Sequence, residues 1–130
     1  MKFEGLGLFV KDMKAMVCFY RDVLGFDVEW DGLQPDAGVR KDGVLLMFYG
    51  RKNFEQMTSR TYGYAEGING HFEIALAAET YSDVDRIYET VVKKGAEPIL
   101  KPTTEPWGQH TCYIADPEGN LIEIGSFNVG

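Results

Sequence analysis

Glu123 is the one charge inside an otherwise apolar stretch, Leu121-Ile122-Glu123-Ile124, which follows the turn sequence Asp116-Pro117-Glu118-Gly119-Asn120. On a strand, Leu121, Glu123 and Gly125 project to one face and Ile122 and Ile124 to the other. Burying a lone carboxylate is costly unless something pairs with it. Glu123 therefore either faces solvent or points into a cavity with a task. A second acid, Glu73, lies two residues after His71, which on a regular strand puts both on one face. With His110, these residues could form an acid–base or metal-binding set. No ligand spacing rule joins them, however, and a hydrogen-bonded or exposed imidazole is the simpler reading of each histidine. Cys18 and Cys112 are far apart in the chain and in no metal-type spacing, so they are expected to be buried, reduced thiols.

The chain that must position these groups has 130 residues, 45% apolar and 25% charged, which suits one soluble domain with a real core. Its net charge of −7, without a Lys/Arg block, argues against nucleic acid and anionic membrane surfaces as partners. No apolar run approaches the roughly 20 residues of a membrane span. Met1-Lys2-Phe3-Glu4-Gly5 has no signal-peptide pattern, so a cytoplasmic location is expected.

Alternation predicts a strand over 3–10. Asp12 is placed to cap a helix carrying Met13, Met16, Val17, Tyr20, Val23 and Leu24 at helical spacing, with Gly25 ending it. Phe26 to Trp30 reads as a second strand. Gly38–Lys41 and Val44–Tyr49 read as a hairpin turning at Asp42-Gly43. Residues 50–70 are polar and glycine-rich, and read as a long loop carrying Phe54, Tyr62 and Tyr64. The order then repeats. A strand over 71–78 precedes a helix capped at Thr80 or Ser82, with Val84, Ile87, Tyr88, Val91 and Val92 as its apolar stripe and Gly95 beyond its end. A short strand at 98–100, a proline-rich loop over 101–108, a strand over 109–115 and the final strand follow. The chain thus reads as one domain of two βαβββ modules, residues 2–49 and 71–126, joined by the loop 50–70.

Val10-Lys11-Asp12 with Phe19-Tyr20-Arg21-Asp22-Val23-Leu24-Gly25-Phe26, and Pro106-Trp107-Gly108 with Asp116-Pro117-Glu118-Gly119-Asn120-Leu121-Ile122-Glu123, resemble the two halves of the vicinal oxygen chelate superfamily. That superfamily includes glyoxalase I, extradiol dioxygenases, and fosfomycin and bleomycin resistance proteins. The resemblance implies an α+β fold in which two βαβββ modules form curved mixed sheets around a cavity, paired in a homodimer.

It also implies four cavity-facing positions where metal-using members carry His or Glu. Here they fall at Gly5, at Leu46 (or Met47 with a one-residue slip), at Glu73 and at Glu123. A catalytic zinc, nickel or iron site needs about three protein ligands, commonly with imidazole among them. Gly5 has no side chain to offer and Leu46 cannot ligate, so no cofactor is expected. Any divalent metal would rest on Glu73 and Glu123. Those two carboxylates are instead candidates for acid–base work or for recognising a charged ligand. Phe9, Trp30, Phe48, Tyr62, Tyr64, Trp107, Tyr113 and His110 are the candidate ligand-binding residues around them. Aromatic walls with one or two acids suit a small organic molecule, aromatic or cationic. The expectation is a small-molecule-binding protein of the bleomycin-resistance type. The alternatives are a metal-dependent lyase, isomerase or dioxygenase with an atypical site, and a non-catalytic interaction subunit.

Overall fold

A computed structural model describes all residues, 1–130. The chain divides into two compact units, Met1–Tyr64 and Ala65–Gly130. The fold is α+β, with one mixed sheet in each unit.

In the first unit, β1 (Gly5–Val10) runs parallel to β3 (Val44–Gly50), and β2 (Asp36–Lys41) runs antiparallel to β3 on its other side. The β2–β3 turn has both Asp42 and Gly43 at positive φ, 52° and 79°. This is the primed turn that the Asp-Gly pair predicts. Helix α1 (Met13–Cys18) begins where the Asp12 carboxylate accepts from the Ala15 N–H at 3.0 Å. It continues as a π-helical turn over Phe19–Val23, whose wider i→i−5 bond runs from the Leu24 N–H to the Phe19 carbonyl. Gly25, at φ +77°, then closes the helix, and the Phe26 N–H reaches back to the Tyr20 carbonyl. Met16, Val17, Phe19 and Tyr20 of the helical segment are buried, as are Leu8, Val10, Leu46 and Phe48 of the strands. The Tyr20 and Phe48 rings stand 5.0 Å apart. Each such side chain, fully buried, contributes roughly 1.5–3 kcal/mol.

The second unit is the complete βαβββ module. Its sheet order is β4-β7-β6-β5, with β4 (Asn69–Ala77) parallel to β7 (Asn120–Ser126). The antiparallel ladder of β5 (Glu97–Thr104), β6 (His110–Ala115) and β7 completes it. Helix α3 (Tyr81–Lys93) is capped by Thr80, whose hydroxyl oxygen accepts from the Asp83 N–H. It buries Val84 and Val91, and packs on a sheet whose core residues include Cys112, Ile114, Ile122 and Ile124.

Three expected elements differ. Phe26–Trp30 is not a strand but a single bridge, Glu29 to Gly38. Phe26 and Val28 do turn into the core. Beyond them the Asp31 carboxylate accepts from the Leu33 and Gln34 N–H groups and curls the chain off the sheet. Residues 50–70 are not one long loop, because Arg51–Thr58 is a helix, α2. Its inner face is Arg51, Phe54, Glu55 and Thr58, a helical i, i+3, i+4, i+7 set with one apolar member, so a hydropathy pattern misses it. The third difference is β5, which runs on to Thr104 through two irregularities in its pairing with β6, well past Leu100.

No helix is long and apolar enough to cross a membrane. Cys112 is buried and Cys18 half-buried, and both are free thiols. Burial pushes the Cys112 thiol up to about 12.

Candidate functional site

The turn before β7 is built around the buried Asp116. Its carboxylate accepts from the Glu118 N–H, the Asn120 N–H and the Asn120 side-chain amide, at 2.9, 3.0 and 2.9 Å. Gly119 turns at φ +87°, where an added Cβ would fall 1.9 Å from the Gly67 carbonyl oxygen. That turn sets the register of β7, and with it the face on which Glu123 emerges.

Glu123 lies opposite Tyr113 of β6 on one side and Ala75 of β4 on the other. Ile122 and Ile124 point into the core, so Glu123 and Tyr113 share the face turned away from it. Glu73, two residues before Ala75, joins that face. The Tyr113 hydroxyl donates to Glu123 Oε2 at 2.9 Å, and the Glu73 carboxylate is near enough to raise the phenol's pKa as well. Desolvation, and then the two carboxylates, hold the phenol well above its ordinary value. Tyr113 is therefore a proton-bearing donor across the neutral range. No lysine or arginine forms an ion pair with Glu73 or Glu123.

The donor set does not fit a three-ligand catalytic metal site. No three His, Cys, Asp or Glu side chains stand close enough together to share an ion. Of the first two family positions, Gly5 has no room for a side chain, since a Cβ there would fall 2.1 Å from the Leu45 carbonyl oxygen. Leu46 is buried in the helix-side core. The residue in register with the Gly5 face is Met47, the cross-strand partner of Gly7. A thioether suits soft ions rather than the family's usual metals.

The other predicted residues divide into three groups. Phe9, Tyr62 and Tyr64 gather around α2. The Phe54 ring centre lies 4.2 Å from that of Phe9, the rings tilted by 36°, and 5.4 Å from that of Tyr62. The Tyr64 hydroxyl donates to Glu55 Oε2, while the Arg51 guanidinium lies 4.4 Å from the Tyr64 ring centre. Arg51 and Glu55 escape a sequence reading because α2 does, and Phe54 is read there only as a loop aromatic.

Phe48 and His110 belong to the opposite, helix-side faces of their sheets. Phe48 is core. His110 is bonded to Asp85 of α3 and to Thr104, and stacked on Tyr81. Strand parity decides both positions. His71 lies in the irregular stretch between Asn69 and Glu73, where pairing shifts register and the shared-face argument with Glu73 lapses.

Trp30 and Trp107 are held in loops. The Trp30 Nε1–H donates to the Gln34 carbonyl at 2.8 Å. Trp30 also lines an open cleft of about 710 Å³ in the first unit, with Asp27, Glu29, Asp36 and Arg40. Trp107 is exposed on the β5–β6 turn, and its Nε1–H donates to Gln109 Oε1.

The fold and the site define a glyoxalase-like protein. Residues 2–124 match the model of the Glyoxalase/Bleomycin resistance protein/Dioxygenase superfamily, and the chain belongs to that superfamily. It is 28% identical over 127 residues to the uncharacterized protein YraH of Bacillus subtilis, covering 95% of this chain and 97% of that one. A glyoxalase/bleomycin resistance protein/dioxygenase family enzyme from Burkholderia phytofirmans superposes with a TM-score of 0.83 at 23% identity, over 98% of this chain and 99% of that one. A glyoxalase/bleomycin resistance protein/dioxygenase from Nocardioides gives 0.83 at 23% identity, over 100% of this chain and 85% of that one. At these identities the two solved structures establish the fold alone.

Proposed function

We propose that this protein binds a small organic molecule, in the manner of the bleomycin-resistance members of its superfamily, and does so without the family's usual metal. The observation that carries this reading is the Tyr113 phenol set between Glu73 and Glu123 with no cation paired to either acid. Two carboxylates beside a phenol that donates to only one of them retain acceptor capacity and negative charge. Such a site favours a ligand with a positive charge or N–H donors. The aromatic residues of the chain suit a flat or cationic body. The proposed working form is a cytoplasmic homodimer.

The test is titration with benzylamine and its uncharged counterpart benzyl alcohol, followed by calorimetry. Saturable binding of benzylamine, tighter than that of benzyl alcohol and weakened about tenfold by Glu123→Gln or Glu73→Gln, a loss of about 1.4 kcal/mol, is expected. Elemental analysis of the protein purified without added metal is the complementary measurement. A stoichiometric transition metal lost in Glu123→Gln would overturn the metal-free reading. A metal-dependent lyase, isomerase or dioxygenase is the second reading, favoured by the meeting of the third and fourth family positions around one phenol. It predicts chelator-sensitive turnover of a methylglyoxal–thiol adduct or a catechol.

A further inference from the structure

On the other face of the second sheet, three elements converge on one imidazole. Thr104 and His110 are the cross-strand pair that closes the β5–β6 hairpin, and β5 is an edge strand. Thr104 Oγ1 lies 2.8 Å from His110 Nδ1. On the other side of the ring, His110 Nε2 lies 2.7 Å from Asp85 Oδ1 of α3. Tyr81, one turn earlier on the same helix, stacks on the ring with centroids 4.9 Å apart and planes 23° off parallel. The Tyr81 hydroxyl donates to the Gly108 carbonyl, which ties the helix to the hairpin turn.

The hydrogen bonds fix the proton positions of the neutral ring. A carboxylate only accepts, so Nε2 carries the hydrogen and donates it to Asp85. Nδ1 then presents its lone pair, and the Thr104 hydroxyl is the group that donates to it. A hydroxyl donating to an imidazole whose far nitrogen is oriented by a carboxylate is the arrangement that activates an alcohol as a nucleophile. The imidazole is mostly covered, with its side chain 13% exposed, whereas Thr104 is exposed. An electrophile from solvent can thus approach the oxygen while the base stays held in plane.

We propose that Thr104, His110 and Asp85 form an acyl-accepting site, separate from the Glu73–Tyr113–Glu123 face, that takes activated esters. Thr104 Oγ1 forms the new bond to the ester carbonyl carbon and gives its proton to His110 Nδ1. Collapse of the tetrahedral adduct breaks the bond to the leaving oxygen, which takes that proton from Nδ1. The acyl group stays on Thr104 as an ester. Water attacks this ester by the same proton path and restores the hydroxyl, for a net conversion of ester and water to acid and alcohol. Asp85 positions the imidazole and does not touch the substrate.

The test is reaction of the full-length protein with p-nitrophenyl acetate, following nitrophenolate release and mapping the acetyl group by peptide mass spectrometry. Acetyl on Thr104 is expected, with Thr104→Val, a near-isosteric change, abolishing both adduct and release. Thr104→Ser should retain them. His110→Asn should slow the reaction about 100-fold, the lower end of what a positioned general base supplies. For Asp85→Asn a smaller loss is expected, restored in Asp85→Glu. An acetyl group found only on lysines, or release unchanged in the folded Thr104→Val protein, would overturn the proposal.

Discussion

Tyr113 of β6 and Glu123 of β7 are direct cross-strand partners, and the phenol donates to the carboxylate at 2.9 Å. The pair gives an acid in an apolar strand its partner without using a cation. It also leaves the face negatively charged. Removing the phenolic oxygen should therefore separate the structural part of the contact from its part in recognition. Tyr113→Phe is expected to lower unfolding stability by about 1 kcal/mol, the usual worth of one hydrogen bond. It should also change benzylamine affinity more than benzyl alcohol affinity, since the ammonium competes with the phenol for the same oxygens. Urea unfolding and calorimetry read the two effects. Unchanged values in both would remove Tyr113 from the site.

Alkaline pH should destabilise this protein early. Cys112 and Tyr113 both hold their protons more tightly folded than unfolded, chiefly because burial disfavours the charged forms. Stabilisation from such groups is complete below their unfolded values and is lost as pH rises through the folded ones. For Cys112 the window runs from 9.0 to about 12, and for Tyr113 it opens at 10.0 and extends upward. Unfolding free energy should stay level between about pH 7 and 8.5 and decline above that. Cys112→Ala should flatten the first part of the decline and Tyr113→Phe the later part. Identical slopes in wild type and both variants would show that other groups govern the transition.

Gly5 and Gly7 share a face of β1, yet their tolerances should differ sharply. A Cβ on Gly5 would meet the Leu45 carbonyl oxygen at 2.1 Å, whereas one on Gly7 would meet only the flexible end of Met47, at 3.9 Å. Gly5→Ala is expected to cost about 1–3 kcal/mol, and more if β3 cannot shift. Gly7→Ala should stay within about 0.5 kcal/mol of wild type. By the same geometry Gly5→His should not create a zinc site, because the imidazole would first have to displace the backbone of β3. Thermal unfolding with and without zinc distinguishes these outcomes. A Gly5→His protein stabilised by zinc would contradict the packing argument.

Much of this molecule was legible in its chain. Asp12 and Thr80 cap their helices because a short side-chain oxygen before an apolar stripe can satisfy a free N–H whatever lies around it. Asp42-Gly43 turns where it does because both residues accept positive φ. The parity of Ile122, Glu123 and Ile124 follows from the period of a strand. The motifs around Phe19–Phe26 and Asp116–Glu123 carried the family with them. These features are local, and local sequence determines them.

What the chain could not settle by itself depends on long-range partners. Phe26–Trp30 alternates as a strand does, yet only Glu29 pairs across, with Gly38 of β2. Helix α2 depends on packing of a face that is mostly polar, so no hydropathy pattern announces it. Phe48 and His110 point away from the aromatic and acidic faces because a one-residue step in a strand reverses a side chain. Above all, Glu123 had no visible partner in sequence. Tyr113 lies ten residues away and Glu73 fifty, on strands that only the folded sheet places beside β7. Register between strands is a property of the whole sheet, and it decides that this carboxylate meets a phenol and a second acid.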